Sequence, residues 1–181
     1  MPLFITQILL LFLLFFVYLL VGFFLVFEVY VLFIAHRKGG PFVPSSRKRI
    51  TTMLALANLT PDDVVTDLGS GHGPIVVRAA ERGVRATGVE INPFLVLYSR
   101  WLLKRKQLSD RTSIIRGDLK NYSLSETTVL FLYLMPKTID NLLPKIEKEM
   151  QKGSRIISNT FPITGWTPEK TENNVYMYVK K

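Results

Sequence analysis

Three acidic side chains carry the strongest chemical signal in this chain. Each closes a short apolar run that reads as a β-strand, the position at which open α/β sheets bind ligands. Asp67 opens the segment Asp67-Leu68-Gly69-Ser70-Gly71-His72-Gly73, which runs from a strand into a helix. Its glycines, with Ser70 between them, let the backbone approach a ligand with no Cβ in the way, and the acid can hold a cationic or hydroxyl-rich group beside it. Glu90 ends the next strand in Gly88-Val89-Glu90-Ile91-Asn92-Pro93, near the place where doubly wound nucleotide sites set an acid on a ribose diol. Asp118 ends the third in Arg116-Gly117-Asp118-Leu119, where a short carboxylate can accept a hydrogen bond from an exocyclic amine such as that of adenine. Any one of them could be a solvated loop acid. Three at successive strand ends describe a ligand containing adenosine.

The first turn narrows the choice. Counted from Gly69, a dinucleotide fingerprint Gly-x-Gly-x-x-Gly meets Pro74 at its third glycine, and Asp67 would repel a pyrophosphate. An acid ahead of the glycines instead suits a ligand bearing an ammonium and a sulfonium, S-adenosylmethionine. Composition excludes other chemistry. The 181 residues include no cysteine and two histidines, so there is no disulfide framework, no thiolate nucleophile and no Cys-containing zinc site, and no metal centre is expected.

The elements that must position these acids follow from periodicity. Ser46 can cap a helix over about 47–58, with Ile50, Met53, Leu54 and Ala57 on one face, ending before Thr60-Pro61. A strand at 64–68, a helix from Pro74 to about 82, a strand at 86–91 and a helix from Pro93 to about 106 come next, each helix opened by a proline in its first turn. Strands at 113–116 and 128–134, a helix over about 137–151 with Pro144 predicting a kink, and a strand at 155–159 complete the series. The run 175–179 alternates and reads as an edge strand, with antiparallel pairing open to it. Alternation of this kind predicts an α/β fold, a Rossmann-like doubly wound and mainly parallel sheet.

The N-terminus is of another kind. No charge interrupts Pro2 to Phe27, and the apolar run resumes after Glu28 as far as Ala35, more than the roughly 20 residues that cross a bilayer. It lacks the basic start, short apolar core and small-residue cleavage site of a signal peptide and reads as one transmembrane helix. Glu28, near its basic end, reads as a residue at headgroup level. All 23 Lys and Arg residues lie beyond residue 35, beginning with Arg37 and Lys38, so the positive-inside rule puts the soluble part on the cytoplasmic side or an equivalent compartment such as the mitochondrial matrix. The expected organisation is an anchor over 1–35, a Pro- and Gly-rich connector with its short helix over 36–60, and a cofactor-binding domain over 61–181.

The acid followed by Gly-x-Gly-x-Gly resembles the first motif of the class I S-adenosylmethionine-dependent methyltransferases. The likeness extends further. Pro41-Phe42-Val43-Pro44 after an apolar helix, the 67–73 loop, Glu90-x-Asn92-Pro93, Ser99-Arg100, Asp118-Leu119 and Phe161-Pro162-x-x-x-Trp166-Thr-Pro168 together resemble the membrane-anchored protein-lysine methyltransferases, whose known members modify the ATP synthase c-subunit and the adenine nucleotide translocase in mitochondria. The likeness covers roughly residues 20–179. The chain departs from that pattern at His72, where the family usually has an acid, and at Pro74, where it usually has Arg. The resemblance implies a class I methyltransferase fold behind one transmembrane helix, with Asp67, Gly69, Ser70, Gly71, Gly73, Glu90, Asn92, Asp118 and Leu119 around the cofactor and a lysine of an integral membrane protein as substrate.

Methyl transfer from a sulfonium to an amine needs alignment and a neutral amine rather than an enzyme nucleophile. The residues expected near the transfer point come from the connector, Phe42 and Pro44, and from the end of the fourth strand, Tyr133 and Pro136. Tyr133 could orient the amine, with a core tyrosine as the alternative reading, and His72 is a lesser candidate for a general base. Phe161 and Trp166 are candidates for the wall of a substrate channel, or else a packed aromatic edge. The basic cluster Arg100, Lys104, Arg105 and Lys106 reads as a face toward anionic lipid headgroups rather than toward nucleic acid. Two other functions fit the same residues: methylation of a phospholipid amine headgroup, and a cofactor-binding scaffold without catalysis.

Overall fold

The structure, a computed structural model, describes residues 2–38 and 43–181, and side chains over 4–30 and 43–181. Contacts divide the chain into two compact units, Met1–Pro41 and Phe42–Lys181. The described residues of the first form one helix, α1 (Pro2–Lys38). Its stretch Phe4–Tyr30 is long and apolar enough to cross a membrane.

The second unit opens with α2 (Arg47–Ala57), capped as expected by Ser46, whose Oγ accepts the Arg49 N–H at 3.3 Å. It continues through β1 (Val64–Leu68), α3 (Pro74–Ala80), β2 (Arg85–Glu90), α4 (Pro93–Arg105), β3 (Thr112–Arg116), β4 (Val129–Leu132), α5 (Pro136–Glu149), β5 (Arg155–Asn159), β6 (Lys170–Glu172) and β7 (Val175–Val179). Prolines occupy the first turns of α3, α4 and α5, where a missing N–H leaves no bond unmade. Helix α5 runs on through Pro144.

The strands form one sheet in the order β3-β2-β1-β4-β5-β7-β6, with the first five parallel and β7 antiparallel to β5. The chain winds outward from β1 to β3 and restarts at β4 on the other side of β1. That reversal opens a crevice beyond the carboxyl ends of β1 and β4. One correction falls at the C-terminus: β7 is not an edge strand. β6 pairs with it in antiparallel register, and the turn between them, Asn173-Asn174, has φ of 50° and 57°, the left-handed pair that a two-residue hairpin demands.

Alternation along the strands builds a core on each face. Val65, Phe131 and Ile157 point to a layer with Ile50, Met53, Val76, Val96 and Leu103 of α2, α3 and α4. Leu68, Leu130, Leu132 and Ile156 point to the other, with Ile139, Leu142 and Ile146 of α5. At the amino ends of the strands, buried Asp63 pairs with Arg155 and accepts from Thr128 Oγ1 at 2.7 Å and the Thr60 N–H at 2.7 Å. Burial by itself would raise the Asp63 carboxyl, but these hydrogen bonds outweigh it and hold it below the ordinary range. Arg155 also donates to the carbonyls of Ala57 and Asn58, which closes the end of α2. This rim is the rigid base from which the opposite ends project.

Candidate active site

The three predicted acids come together at the carboxyl ends of β1, β2 and β3, which are adjacent in the sheet. Asp67 pairs in register with Gly88, and Glu90 with Arg116. Asp118 follows β3 after Gly117, whose N–H donates to the Glu90 carbonyl at 3.0 Å. Both Asp67 and Glu90 are buried.

Glu90 ties two segments. Its Oε2 accepts the Gly71 N–H at 2.9 Å, and its Oε1 accepts the N–H groups of Ile91 and Asn92, each at 2.8 Å. Asn92 caps α4, its Oδ1 accepting from Phe94 at 2.9 Å and Leu95 at 3.4 Å. Asp118 caps a 3-10 turn over Leu119–Asn121 by accepting the Lys120 N–H at 3.0 Å, and both Asp118 and Leu119 are half-buried.

The glycine loop is shaped by close approach. Gly69, Gly71 and Gly73 have φ of 79°, 57° and 80°, a conformation that side-chain-bearing residues avoid. Its amides turn inward. Gly69 and Ser70 both donate to the Val89 carbonyl, Gly71 donates to Glu90 and Gly73 to the Ser70 carbonyl. With these four N–H groups spent inward, the loop does not present the row of amides that a pyrophosphate needs pointing at its oxygens. What it offers a ligand is carboxylate. Asp67 accepts no hydrogen bond from the described residues, and its carboxyl is raised from 3.8 to about 7, first by burial and then by the Glu90 charge. A cation beside it relieves both causes. The residues therefore fit the ammonium and sulfonium of S-adenosylmethionine and not a phosphate.

Two residues that stand in the quoted motifs without an assigned role support the loop. Gly88 sits inside β2, and a Cβ there would lie 2.6 Å from Ser70 Oγ and 2.8 Å from Ile114 Cδ1. The bare backbone of Gly88 is what lets the loop settle on the sheet. A glycine interrupting a strand pattern is the signal that could have revealed it. Ser70 itself is buried there, its Oγ without a hydrogen-bond partner among the described residues. Ser99 is the second, buried on α4 with its Oγ 3.1 Å from the Gly71 carbonyl and 2.8 Å from the Leu95 carbonyl, which ties helix to loop.

The remaining candidates lie in several different segments. Tyr133 follows β4, half-buried, and Pro136 is exposed at the start of α5. His72 is half-buried within the loop. Phe161 and Trp166 lie after β5 and pack on the α5-side core, Trp166 edge-on to Tyr178 at 6.2 Å. Between β5 and Phe161, Thr160 holds φ at 71°, unusual for a β-branched residue, and Arg49 donates to both Thr160 Oγ1 and Asn159 Oδ1. Pro44 is exposed, and Phe42 lies outside the described residues. Among the described residues no cluster of His, Asp and Glu could hold a metal ion.

Comparison with known proteins points the same way. The model of the ANTKMT methyltransferase domain matches residues 67–170. A protein-lysine N-methyltransferase of Saccharolobus islandicus is 34% identical over 149 residues, covering 77% of this chain and 92% of its own length. The human lysine N-methyltransferase of the ATP synthase c-subunit is 33% identical over 71% of this chain, which spans only 55% of that protein. An RNA methyltransferase from Salinibacter ruber, crystallised with S-adenosyl-L-homocysteine, superposes with a TM-score of 0.73 at 35% identity over 76% of this chain and 93% of its own.

Proposed function

This chain belongs to the ANTKMT methyltransferase domain family, and we propose that it is a membrane-anchored, S-adenosylmethionine-dependent N-methyltransferase acting on a lysine of an integral membrane protein. The observation that carries this reading is the buried Asp67 carboxyl beside Glu90, under a loop whose Gly69, Ser70, Gly71 and Gly73 amides turn inward rather than toward a phosphate. In this reading Asp67 receives the ammonium of the cofactor, Glu90 its ribose hydroxyls, and Asp118 the exocyclic amine of adenine with Leu119 beside the ring. The cofactor supplies an activated methyl group. The chain's own task is to hold the accepting amine neutral and in line.

A lysine ammonium brought near a bilayer and a cationic cofactor has its charged form disfavoured by desolvation and by like charge, so it can lose its proton to water or a weak base. In this reading Tyr133, the residue after β4, orients that amine through its hydroxyl, with Pro44, Pro136, Phe161 and Trp166 as further walls of the approach and His72 as the weaker alternative for a base. Tethering is supported by α1, whose length and composition fit a single span, and the basic residues from Arg37 and Lys38 onward favour the catalytic unit on the positive-inside side.

Methyl-labelled cofactor added to native membranes with and without the protein tests the substrate class. Label in a protein band, lost with Asp67→Asn, is expected. Label confined to the lipid extract would replace the lysine with a phospholipid amine, and cofactor binding with no label anywhere would leave a scaffold.

A further inference from the structure

Helix α4 buries Val96, Ser99 and Leu103 against the sheet, as its periodicity requires. The opposite face of a surface helix ordinarily carries charge. Here Leu97, Tyr98 and Trp101 occupy it, 69%, 48% and 51% exposed. The Tyr98 and Trp101 rings lie 5.7 Å apart, and the Arg105 guanidinium sits 5.3 Å from the Trp101 ring, so spacings of three and four residues join them into one strip. Its last turn is basic, with Lys104 and Arg105, followed by Lys106 paired to Glu81 at 2.8 Å. Arg100, beside the strip, is committed elsewhere, donating to the Ile114 carbonyl at 3.0 and 2.7 Å across the edge strand.

We propose that the outward face of α4 is a bilayer contact, with Leu97, Tyr98 and Trp101 at the boundary between headgroups and acyl chains and Lys104 and Arg105 on anionic phosphates. Three observations select lipid. Trp and Tyr, apolar rings with a polar edge, are what the headgroup layer favours, and a helix with such residues on one side and cations beside them lies flat in that layer. The net charge of +9 complements an anionic leaflet. The same chain carries a helix long and apolar enough to cross a membrane. One strip this short binds a free bilayer weakly, but a tether makes the second contact intramolecular and raises its effective concentration to about millimolar. The inference rests on the anchored reading above and extends it: α4 begins just after its cap Asn92, two residues beyond Glu90, so holding it on lipid holds the cofactor crevice at a set attitude to the membrane.

The full chain is reconstituted in nanodiscs of phosphatidylcholine and phosphatidylglycerol (about 3:1) and of phosphatidylcholine alone. Of its two tryptophans, Trp166→Phe leaves Trp101 as the reporter. Quenching of Trp101 by acyl-brominated lipid at least twofold in the anionic discs is expected, falling by more than half in Lys104→Glu/Arg105→Glu with S-adenosylhomocysteine affinity unchanged. Hydroxyl-radical footprinting of the unsubstituted chain reads Tyr98 and Trp101 without relying on the Phe replacement, and protection in discs is expected. Chains that co-elute with discs while Trp101 stays open to acrylamide and unquenched by lipid overturn the contact. So does protection without lipid quenching that grows with the number of chains per disc, which would make the strip an interface between copies. Failure to co-elute overturns the anchor and this contact together. Loss of S-adenosylhomocysteine binding alone contradicts the methyltransferase reading and leaves the lipid contact standing.

Discussion

Asp67 and Glu90 lie near the ends of adjacent parallel strands, close enough that the charge of Glu90 adds to burial in raising the Asp67 carboxyl from 3.8 to about 7. Glu90 has backbone N–H partners for both its oxygens, whereas Asp67 accepts no hydrogen bond from the described residues. The glutamate is built into the fold, and the aspartate is left without such partners, as the proposed role toward a cation requires.

Cofactor affinity is therefore expected to depend on pH. S-adenosylhomocysteine keeps an ammonium, which favours ionised Asp67, so affinity should be level above pH 7 and fall by up to about tenfold per pH unit below it. Calorimetric titration of the detergent-solubilised chain from pH 5.5 to 8.5 reads this. A flat profile in the wild type contradicts it.

The same group affects stability in the opposite sense to an ordinary salt-bridged acid. A folded-state value raised from 3.8 to about 7 means that the ligand-free fold binds the extra proton, so its stability is greatest below the unfolded value and declines as pH rises between the two. Thermal unfolding of Asp67→Asn against wild type should show the variant gaining stability relative to wild type across that window.

Glu90→Ala is expected to weaken S-adenosylhomocysteine binding by more than tenfold, through lost ribose contact and through release of three backbone amides. Glu90→Gln should lie between, since one oxygen cannot serve both the Gly71 and the Ile91-Asn92 amides. Faster hydrogen exchange at Gly71 in both variants would accompany the loss.

Gly88→Ala should destabilise the fold by about 1–3 kcal/mol, because its Cβ would press on Ser70 and Ile114 inside the packed layer. Since Ser70 Cβ is itself 2.8 Å away, Ser70→Ala should not relieve the variant and Ser70→Gly should do so in part. Urea unfolding of the single and double variants checks the pair.

Most of the sheet was legible because its signals are local. Alternating or continuous apolar runs end at Asp67, Glu90 and Arg116, and Pro74 and Pro93 mark helix starts that the structure keeps. β6 was not legible: Lys170-Thr171-Glu172 has no apolar residue and is wholly exposed, and it is a strand only because Asn173 and Asn174 fold it back on β7. That is also why Val175–Val179 looked like an edge. Within the site, the acids could be read from their place after strands, but what Glu90 and Ser99 hold could not, since each bonds Gly71 from a distant part of the chain.

At the far rim, Arg155→Met should cost about 3 kcal/mol by leaving buried Asp63 unpaired, with S-adenosylhomocysteine affinity little changed because the pair stands at the amino ends of the strands. Thermal unfolding and calorimetry on one preparation separate the two effects.

The sharpest test is calorimetric titration of S-adenosylmethionine into the full chain at pH 8, wild type beside Asp67→Asn. Binding by the wild type and a loss of at least a hundredfold in the variant, with its fold intact by circular dichroism, is the expected result. A wild type that does not bind, or a variant that binds equally well, contradicts a sulfonium cofactor held by these strand-end acids.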